Sequence, residues 1–254
     1  MKNRLFRTNG IVLKSIKLNE SDKIITIFSQ DYGKIQAIAK GIRKTKSQFG
    51  SSLENLTLLK ILVYKGKTLN IVSQTEIISS FFSRCKDLKR YGLAIYCTEI
   101  IDKMSAEEDP NEAIYELLKN VLVLLKDEKN PFLLVESFKW KLFVILGYHP
   151  VLERCVKCNQ RLKKEEYYIF DIVEGGIICP ACKGENSGYQ VKISNYCLRL
   201  LGRIIVADLQ MIHNKNILQS GLDELFKITD NYMSYHFETR NRSKEFLNKL
   251  ESME

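Results

Sequence analysis

Ile11-Val12-Leu13-Lys14-Ser15-Ile16, then Asn19-Glu20-Ser21-Asp22, then Lys23-Ile24-Ile25-Thr26-Ile27-Phe28, then Asp31-Tyr32-Gly33, then Lys34-Ile35-Gln36-Ala37-Ile38-Ala39-Lys40: this stretch decides the fold of the first third of the chain. Three apolar, largely β-branched runs are punctuated by polar and glycine turns, the pattern of short strands joined by tight connections. In the third run Ile35, Ala37 and Ala39 fall at every second position, so they share one face. Leu56 to Tyr64 and Leu69 to Thr75 add a fourth and a fifth strand, joined through Lys65-Gly66-Lys67. Five short antiparallel strands suit a small barrel of the OB type, whose closure leaves no exposed edge.

Beyond residue 85 the apolar period becomes helical. Leu93, Tyr96, Ile100 and Ile101 fall at helix spacing within Leu88 to Lys103, and a second helix is expected over Asn111 to Leu125. Asn130 as N-cap, Pro131 at the first position and Gly147 after the end bracket a third, apolar helix from Pro131 to Leu146. It carries Trp140, the only tryptophan, as the expected anchor of a helical core. Ser194 caps a helix to about Asp208, and further helices are expected over Gln219 to Phe237 and Arg242 to Leu250. The expected architecture is α+β. A five-stranded OB-type barrel over residues 1–80 is followed by a mainly helical domain over 81–254, which carries an inserted four-cysteine module at about 151–190.

That module rests on Cys155-Val156-Lys157-Cys158 and Cys179-Pro180-Ala181-Cys182, two Cys-x-x-Cys knuckles separated by twenty residues. The spacing is that of a four-cysteine zinc site, and four thiolates make a closed tetrahedron with no position open to substrate. Between the knuckles, Glu165 to Asp171 and Ile177-Ile178 flank Glu174-Gly175-Gly176 as a hairpin that returns Cys179 towards Cys155. One structural Zn²⁺ per chain is the expectation; the alternatives are ordinary cysteines or a redox pair, the latter without the βαβ setting it requires. Cys85, Cys97 and Cys197 read as buried inert thiols, and His149 as packing beside the first knuckle. Metal ligation rather than disulfides, no apolar run near the ~20 residues that span a bilayer, and no signal-peptide core after the basic N-terminus lead us to expect a cytoplasmic protein with no membrane role.

The formal net charge is +9, and it is placed unevenly. Residues 1–80 hold 14 Lys and Arg against five acids, while the remainder balances at 25 of each. Positive charge concentrated on one module is the footprint of a polyanion binder. Its densest run is Lys40-Gly41-Ile42-Arg43-Lys44-Thr45-Lys46-Ser47-Gln48-Phe49-Gly50, where Lys40, Arg43, Lys44 and Lys46 lie together without an acid. Such a loop tracks phosphates and gains from counterion release. Phe6, Tyr32, Phe49 and Tyr64 are the aromatic candidates for base stacking beside it. For catalysis little is found. His213 and His236 are isolated, Glu107-Glu108-Asp109 and Glu165-Glu166 read as surface charge, and no Walker loop, nucleophile elbow or Gly-x-Gly-x-x-Gly motif occurs.

Gly10-Ile11-Val12-Leu13, Glu20-Ser21-Asp22-Lys23, Phe28-Ser29, Gly33-Lys34, Lys40-Gly41-Ile42-Arg43-Lys44 and then Ser47, Phe49, Gly50 and Leu53 form a string that resembles the N-terminus of the bacterial recombination mediator family RecO. Leu146-Gly147-Tyr148-His149-Pro150 running into Cys155-x-x-Cys158 resembles its helical-to-zinc junction. The resemblance spans essentially the whole chain. It implies a non-enzymatic role in DNA repair and homologous recombination, at the nucleoid of the cytoplasm. It implies binding of single- and double-stranded DNA, annealing of complementary strands, work with RecR, and contact with the acidic tail of single-stranded DNA-binding protein. RecA would be served indirectly, through loading on coated strands. The basic loop, Lys40, Arg43, Lys44 and Lys46, matches the family's DNA loop, and Cys155, Cys158, Cys179 and Cys182 match its zinc ligands. The alternative from the residues alone is a zinc-ribbon and OB protein that binds RNA in the translation or transcription machinery.

Overall fold

The computed structural model describes residues 4–83, 85–184, 188–212 and 217–237. The helix expected over Arg242 to Leu250, and His213, lie outside them. Contacts divide the chain into two compact units, one built from residues up to 126 and one from residues 127–240.

In the first unit the strands are β1 (Leu5–Lys17), β2 (Lys23–Ser29), β3 (Gly33–Ala39), β4 (Thr57–Tyr64) and β5 (Asn70–Ser80). They close into a barrel in the order β1-β2-β3-β5-β4. The expectation of purely antiparallel pairing is corrected at one joint. β3 and β5 run parallel, with Ala37 opposite Asn70 and Ile38 opposite Ile71. A ring with an odd number of strands cannot alternate direction all the way round, so one parallel pair is unavoidable. β1 is also longer than its apolar run suggested, because it serves two neighbours. Gly10 and Ile11 pair with Ser29 and Phe28 of β2 on one side and with Leu59 and Leu58 of β4 on the other. An irregularity between Val12 and Lys14 bends it. A Cβ at Gly10 would stand 2.4 Å from Ile27 Cγ2, so only glycine admits this close approach.

The barrel interior is filled by Val12, Ile25, Ile27, Ile35, Ala37, Ala39, Leu59, Ile61, Val63 and Val72, with Ile35, Ala37 and Ala39 inward as their alternation dictates. Phe49 and Leu53, from the β3–β4 connection, join the same cluster. Two helices complete the unit. α1 (Leu88–Met104) starts on Asp87, whose side chain accepts from the Arg90 N–H, and α2 (Glu112–Leu124) starts on Asn111, which accepts from Ile114.

The second unit holds α3 (Pro131–Ile145), α4 (Asn195–Val206), the short α5 (Leu209–Ile212) and α6 (Gln219–Phe237). Asn130 and Ser194 are the caps expected of them, accepting from Leu133 and Cys197. A three-stranded antiparallel sheet, β6 (Tyr167–Asp171), β7 (Gly176–Ile178) and β8 (Gln190–Ser194), has the order β7-β6-β8. The β6–β7 hairpin is the one its glycine turn announces; β8, preceded by Gly188 at a φ of 75°, was not expected. Trp140 is fully buried, donates Nε1–H to Thr229 Oγ1 at 2.8 Å, and packs against Phe143, Phe170 and Tyr232. Phe170 belongs to β6, so the sheet and the helices share one core.

That core also encloses an ion pair. Glu136 and Lys139, one helical turn apart and both 2% exposed in their side chains, meet directly, with Asp230 Oδ1 3.9 Å from Lys139 Nζ. Burial pushes the Glu136 carboxyl up and Lys139 pulls it back. Removing one partner strands the other charge in a dry interior, whereas removing both does not. Lys139→Met is therefore expected to cost about 3 kcal/mol in urea denaturation, and the double replacement Glu136→Leu with Lys139→Met to cost clearly less than that single change.

Candidate nucleic-acid interface and metal centre

The β1–β2 turn is built on Asn19. Its Oδ1 accepts from the backbone N–H groups of Ser21 and Asp22 at 2.9 and 2.8 Å, a local Asx closure. This leaves Asp22 Oδ1 aimed at the β3–β4 loop, where it accepts from Gly41 N–H at 2.7 Å. Gly41 takes a φ of 67°, the left-handed region that turns the chain sharply after β3. Two residues on, Arg43 N–H donates to Ser21 O at 3.0 Å, and Arg43 Nη1 donates to Asn19 O and Glu20 O at 3.1 and 3.0 Å. The two loops thus form one bonded surface. The Gly41 N–H, then Asn19, hold the Asp22 carboxyl below the usual carboxylate range against the opposing effect of burial.

Lys40, Arg43, Lys44 and Lys46 are all exposed on this surface. Cross-strand register adds two more cations: Lys17 at the end of β1 stands opposite Lys23 at the start of β2, and Lys23 stands opposite Ala39 beside Lys40. Like charges directly opposite are unfavourable in a sheet, so this end of the barrel concentrates positive charge at some cost to stability. Elsewhere on the barrel much of the positive charge meets acids, while Arg4, Arg7 and Lys67 have no acidic ion-pair partner among the described residues. Lys14 and Lys34 both reach Asp102 of α1, Lys65 lies 3.3 Å from Glu108, and Lys60 lies 3.8 Å from Glu76. Glu107 and Glu108 are therefore partners of the barrel, Glu107 accepting from Gln36 Nε2 at 2.6 Å, rather than idle surface charge. Lys17, Lys23, Lys40, Lys44 and Lys46 have no acidic ion-pair partner among the described residues.

Three of the four aromatic candidates are not available on this loop surface. Phe49 is 3% exposed inside the barrel and is corrected to a core residue, because the loop folds its apolar end inward as a plug. Phe6 and Tyr32 pack on each other with ring centroids 4.3 Å apart, and the Tyr64 hydroxyl accepts from Arg4. Tyr32 follows β2 and is separated from the loop by the seven residues of that strand, about 23 Å, with Phe6 packed on it; Tyr64 lies opposite Ile71, which lies opposite Ile38, so it stands two strands across from the residues that lead into the loop. The apolar groups next to the cations are instead Ile16 and Leu18, 54% and 45% exposed.

In the second unit the four knuckle sulfurs, of Cys155, Cys158, Cys179 and Cys182, all lie within 4.8 Å of one another. Cys158 Sγ and Cys179 Sγ are 3.7 Å apart, which matches the edge, about 3.8 Å, of a tetrahedron with 2.3 Å zinc–sulfur bonds. The second knuckle is turned by a short 3-10 helix, Pro180–Cys182, and Cys179 N–H donates to Cys155 Sγ at 3.3 Å. Burial opposes ionisation of Cys155, yet N–H groups of Cys179, Cys158 and Lys157 outweigh it and bring the thiol down to about 6. Cys182, hydrogen-bonded to the sulfurs of Cys158 and Cys179, is pushed up to about 12. Four sulfurs this close cannot all carry charge without a cation among them. The donor set suits a soft, tetrahedral metal, and His149 is not part of it: its Nδ1 lies 3.1 Å from Pro150 O. Of the remaining thiols Cys97 and Cys197 are buried as expected, while Cys85 is half-buried with Sγ 3.4 Å from Asp87 O.

Two family models match the chain in succession. The model described as "Recombination protein O N terminal" matches residues 1–81, and "Recombination protein O C terminal" matches residues 85–245. The chain belongs to the RecO family. Proteins described as "DNA repair protein RecO" are similar along nearly its whole length. That of Thermoanaerobacter sp. strain X514 is 32% identical over 98% of this chain and 100% of its own length. That of Acetivibrio thermocellus is 31% identical over 96% and 97%. A shorter match, to the protein described as "DNA repair protein RecO" of Bifidobacterium adolescentis, is 36% identical over 70% of this chain and 73% of its own length. RecO membership assigns the chain to DNA repair and recombination. No helix among the described residues is long and apolar enough to cross a membrane.

Two features of this RecO protein went unread in the sequence. Asp22 and Asn19 looked like ordinary turn residues, and nothing local in a sequence reveals that a turn will bond to a loop twenty residues away. Arg199 and Arg203 on α4 are the second. They are exposed, four residues apart on one helical face, and line a groove of about 320 Å³ with Leu133, Leu200, Ile204 and Met211. Their i,i+4 spacing was legible, but part of the apolar floor, Leu133 and Met211, comes from other helices.

Proposed function

We propose that this protein is a non-enzymatic mediator that binds single- and double-stranded DNA through the barrel, anneals complementary strands, and assists loading of RecA on strands coated by single-stranded DNA-binding protein. The observation that carries this reading is the cluster of Lys17, Lys23, Lys40, Lys44 and Lys46 at one end of a closed five-stranded barrel. Annealing requires two polyanions to be gathered and their repulsion screened, and no bond to be made or broken. Unpaired ammonium groups on a rigid platform supply that screening, each neutralised phosphate releasing counterions. The strand order and the parallel β3–β5 joint support assigning the barrel to the OB type, in which the strand 2–3 face and the β1–β2 loop contact oligonucleotides.

The functional division we favour is a DNA-binding barrel over residues 1–80 and a helical partner domain over 81–254 with the four-cysteine insertion at about 151–190. In that insertion Cys155, Cys158, Cys179 and Cys182 would hold one structural Zn²⁺, which when bound cross-links the two knuckles and fixes the β6–β7 hairpin. RecR is the proposed protein partner at the site of repair in the nucleoid. The acidic tail of single-stranded DNA-binding protein is proposed to dock in the groove on α4, where Arg199 and Arg203 face an apolar floor. Both guanidinium groups lack an ion-pair partner among the described residues, so an acidic, apolar-tipped peptide fits them.

The test is annealing of complementary DNA strands, each coated with binding protein, without ATP. Rapid duplex formation dependent on this protein supports the reading. No acceleration over the coated strands alone refutes it. Structured RNA that competes better than single-stranded DNA would favour an RNA-binding role instead.

A further inference from the structure

We infer that Asp22 and Arg43 are positioning residues that latch the β1–β2 turn to the β3–β4 loop and so hold Lys40, Lys44 and Lys46 in the arrangement that meets DNA; the inference rests on the DNA-binding reading above. The latch is four hydrogen bonds: Gly41 N–H to Asp22 Oδ1, Arg43 N–H to Ser21 O, and Arg43 Nη1 to Asn19 O and to Glu20 O. Both hydrogens of Nη1 are spent on backbone carbonyls. Arg43 is thereby bound to its own fold, in contrast to the lysines, which bond to nothing described.

Asp22 is fixed from its other side. Ser21 Oγ donates to Asp22 Oδ1 at 3.0 Å and Asn19 Nδ2 donates to Asp22 Oδ2 at 2.9 Å, so the carboxylate cannot turn away. Between the latch and the inward-folded Phe49, the loop is tethered at both ends. Lys44 N–H donates to Gly41 O and Ser47 N–H to Lys44 O, so the intervening turns follow from where Gly41 is held. A Cβ at Gly41 would meet only the Lys44 side chain, Cδ at 3.6 Å and Cε at 3.9 Å, so glycine serves the positive φ that the latch imposes rather than a lack of room. A loop held in its binding conformation avoids the ordering cost that a free lysine-rich loop would meet on contact with DNA.

The decisive feature is the sign of the effect. Asp22 is an anion among cations that face a polyanion. If it acted only through its charge, removing it would strengthen DNA binding. If it acts as a latch, removing it weakens binding. We expect Asp22→Ala to lower the affinity of the full chain for a single-stranded oligothymidine about tenfold at fixed salt, with the slope of log K against log salt unchanged, because no phosphate contact is lost. Asp22→Asn, which keeps an acceptor at the same place, should recover part of the loss. Arg43→Ala should likewise weaken binding without the reduction of about 0.7 in salt slope that one lost single-strand contact brings, and limited proteolysis should now cut between Gly41 and Gln48. Thermal unfolding controls for global loss of fold. Equal or tighter binding by Asp22→Ala, or a reduced salt slope in Arg43→Ala, overturns the latch while leaving DNA binding intact. Failure of the unmodified protein to bind the oligothymidine refutes the DNA reading itself.

Discussion

Protein in which Cys155 and Cys179 are both replaced by serine is expected to contain no zinc, against about one per chain in the parent, and to lose the cooperative unfolding of its second unit. The reason lies in how little else holds the module. Its strands are five, three and five residues long, and a sheet this small cannot fold on burial alone. Structural zinc binding contributes on the order of 10 kcal/mol in comparable modules, all of it folding free energy. The damage does not stop at the knuckles, because Phe170 and the fully buried Ile177 and Ile193 carry the sheet into the helical core. Phe170 touches Trp140 with ring centroids 6.3 Å apart. The only tryptophan therefore reports on the metal, and its emission should shift to the red in the variant. Affinity for single-stranded DNA should change by less than about threefold, under 1 kcal/mol, since the cations that carry it belong to the other unit. A variant that stays zinc-free and cooperatively folded would refute the structural role of the metal.

Replacing Lys40, Lys44 and Lys46 together by alanine should lower single-strand affinity on the order of a hundredfold at about 0.1 M salt. Each single-strand phosphate contact releases about 0.7 of a counterion, so three contacts account for about two decades at that salt. The loss should be uniform over sequences, because phosphate contacts carry no base information. Stability should hold. None of the three lysines has an ion-pair partner among the described residues, and their removal relieves repulsion. The same triple change placed on Lys14, Lys34 and Lys65 serves as the contrast: those cations already meet Asp102 and Glu108, so their loss should disturb packing on α1 more than DNA.

The strands, the capped helices and the cysteine spacing were legible because each is encoded locally, in alternation, in a capping side chain or in a knuckle. Asn130, Ser194 and the Gly175-Gly176 turn did what their positions announced. What was not legible depends on residues far apart in sequence. The parallel β3–β5 joint follows from counting strands around a closed ring, not from either strand. β8 has only five residues, and its one signal, the turn at Gly188, does not say that β6 offers it an edge. Phe49 looked like a stacking aromatic because it sits in a basic loop; the loop's fold reverses that reading by driving it into the barrel. The candidate site was half visible. The loop cations lie exposed on one loop, as their adjacency in the sequence implies, but Lys17 and Lys23 join them only through strand register, and Arg43 spends its Nη1 hydrogens on the neighbouring turn.

The central claim is that unpaired positive charge at one end of the barrel binds nucleic acid through its phosphates. The most direct test is the salt dependence of single-stranded DNA binding by the parent and by the Lys40, Lys44, Lys46 triple-alanine variant. The account predicts a straight line of log K against log salt for the parent, falling steeply, and a slope shallower by about 2 in the variant. A parent affinity indifferent to salt, or two parallel lines, would contradict it.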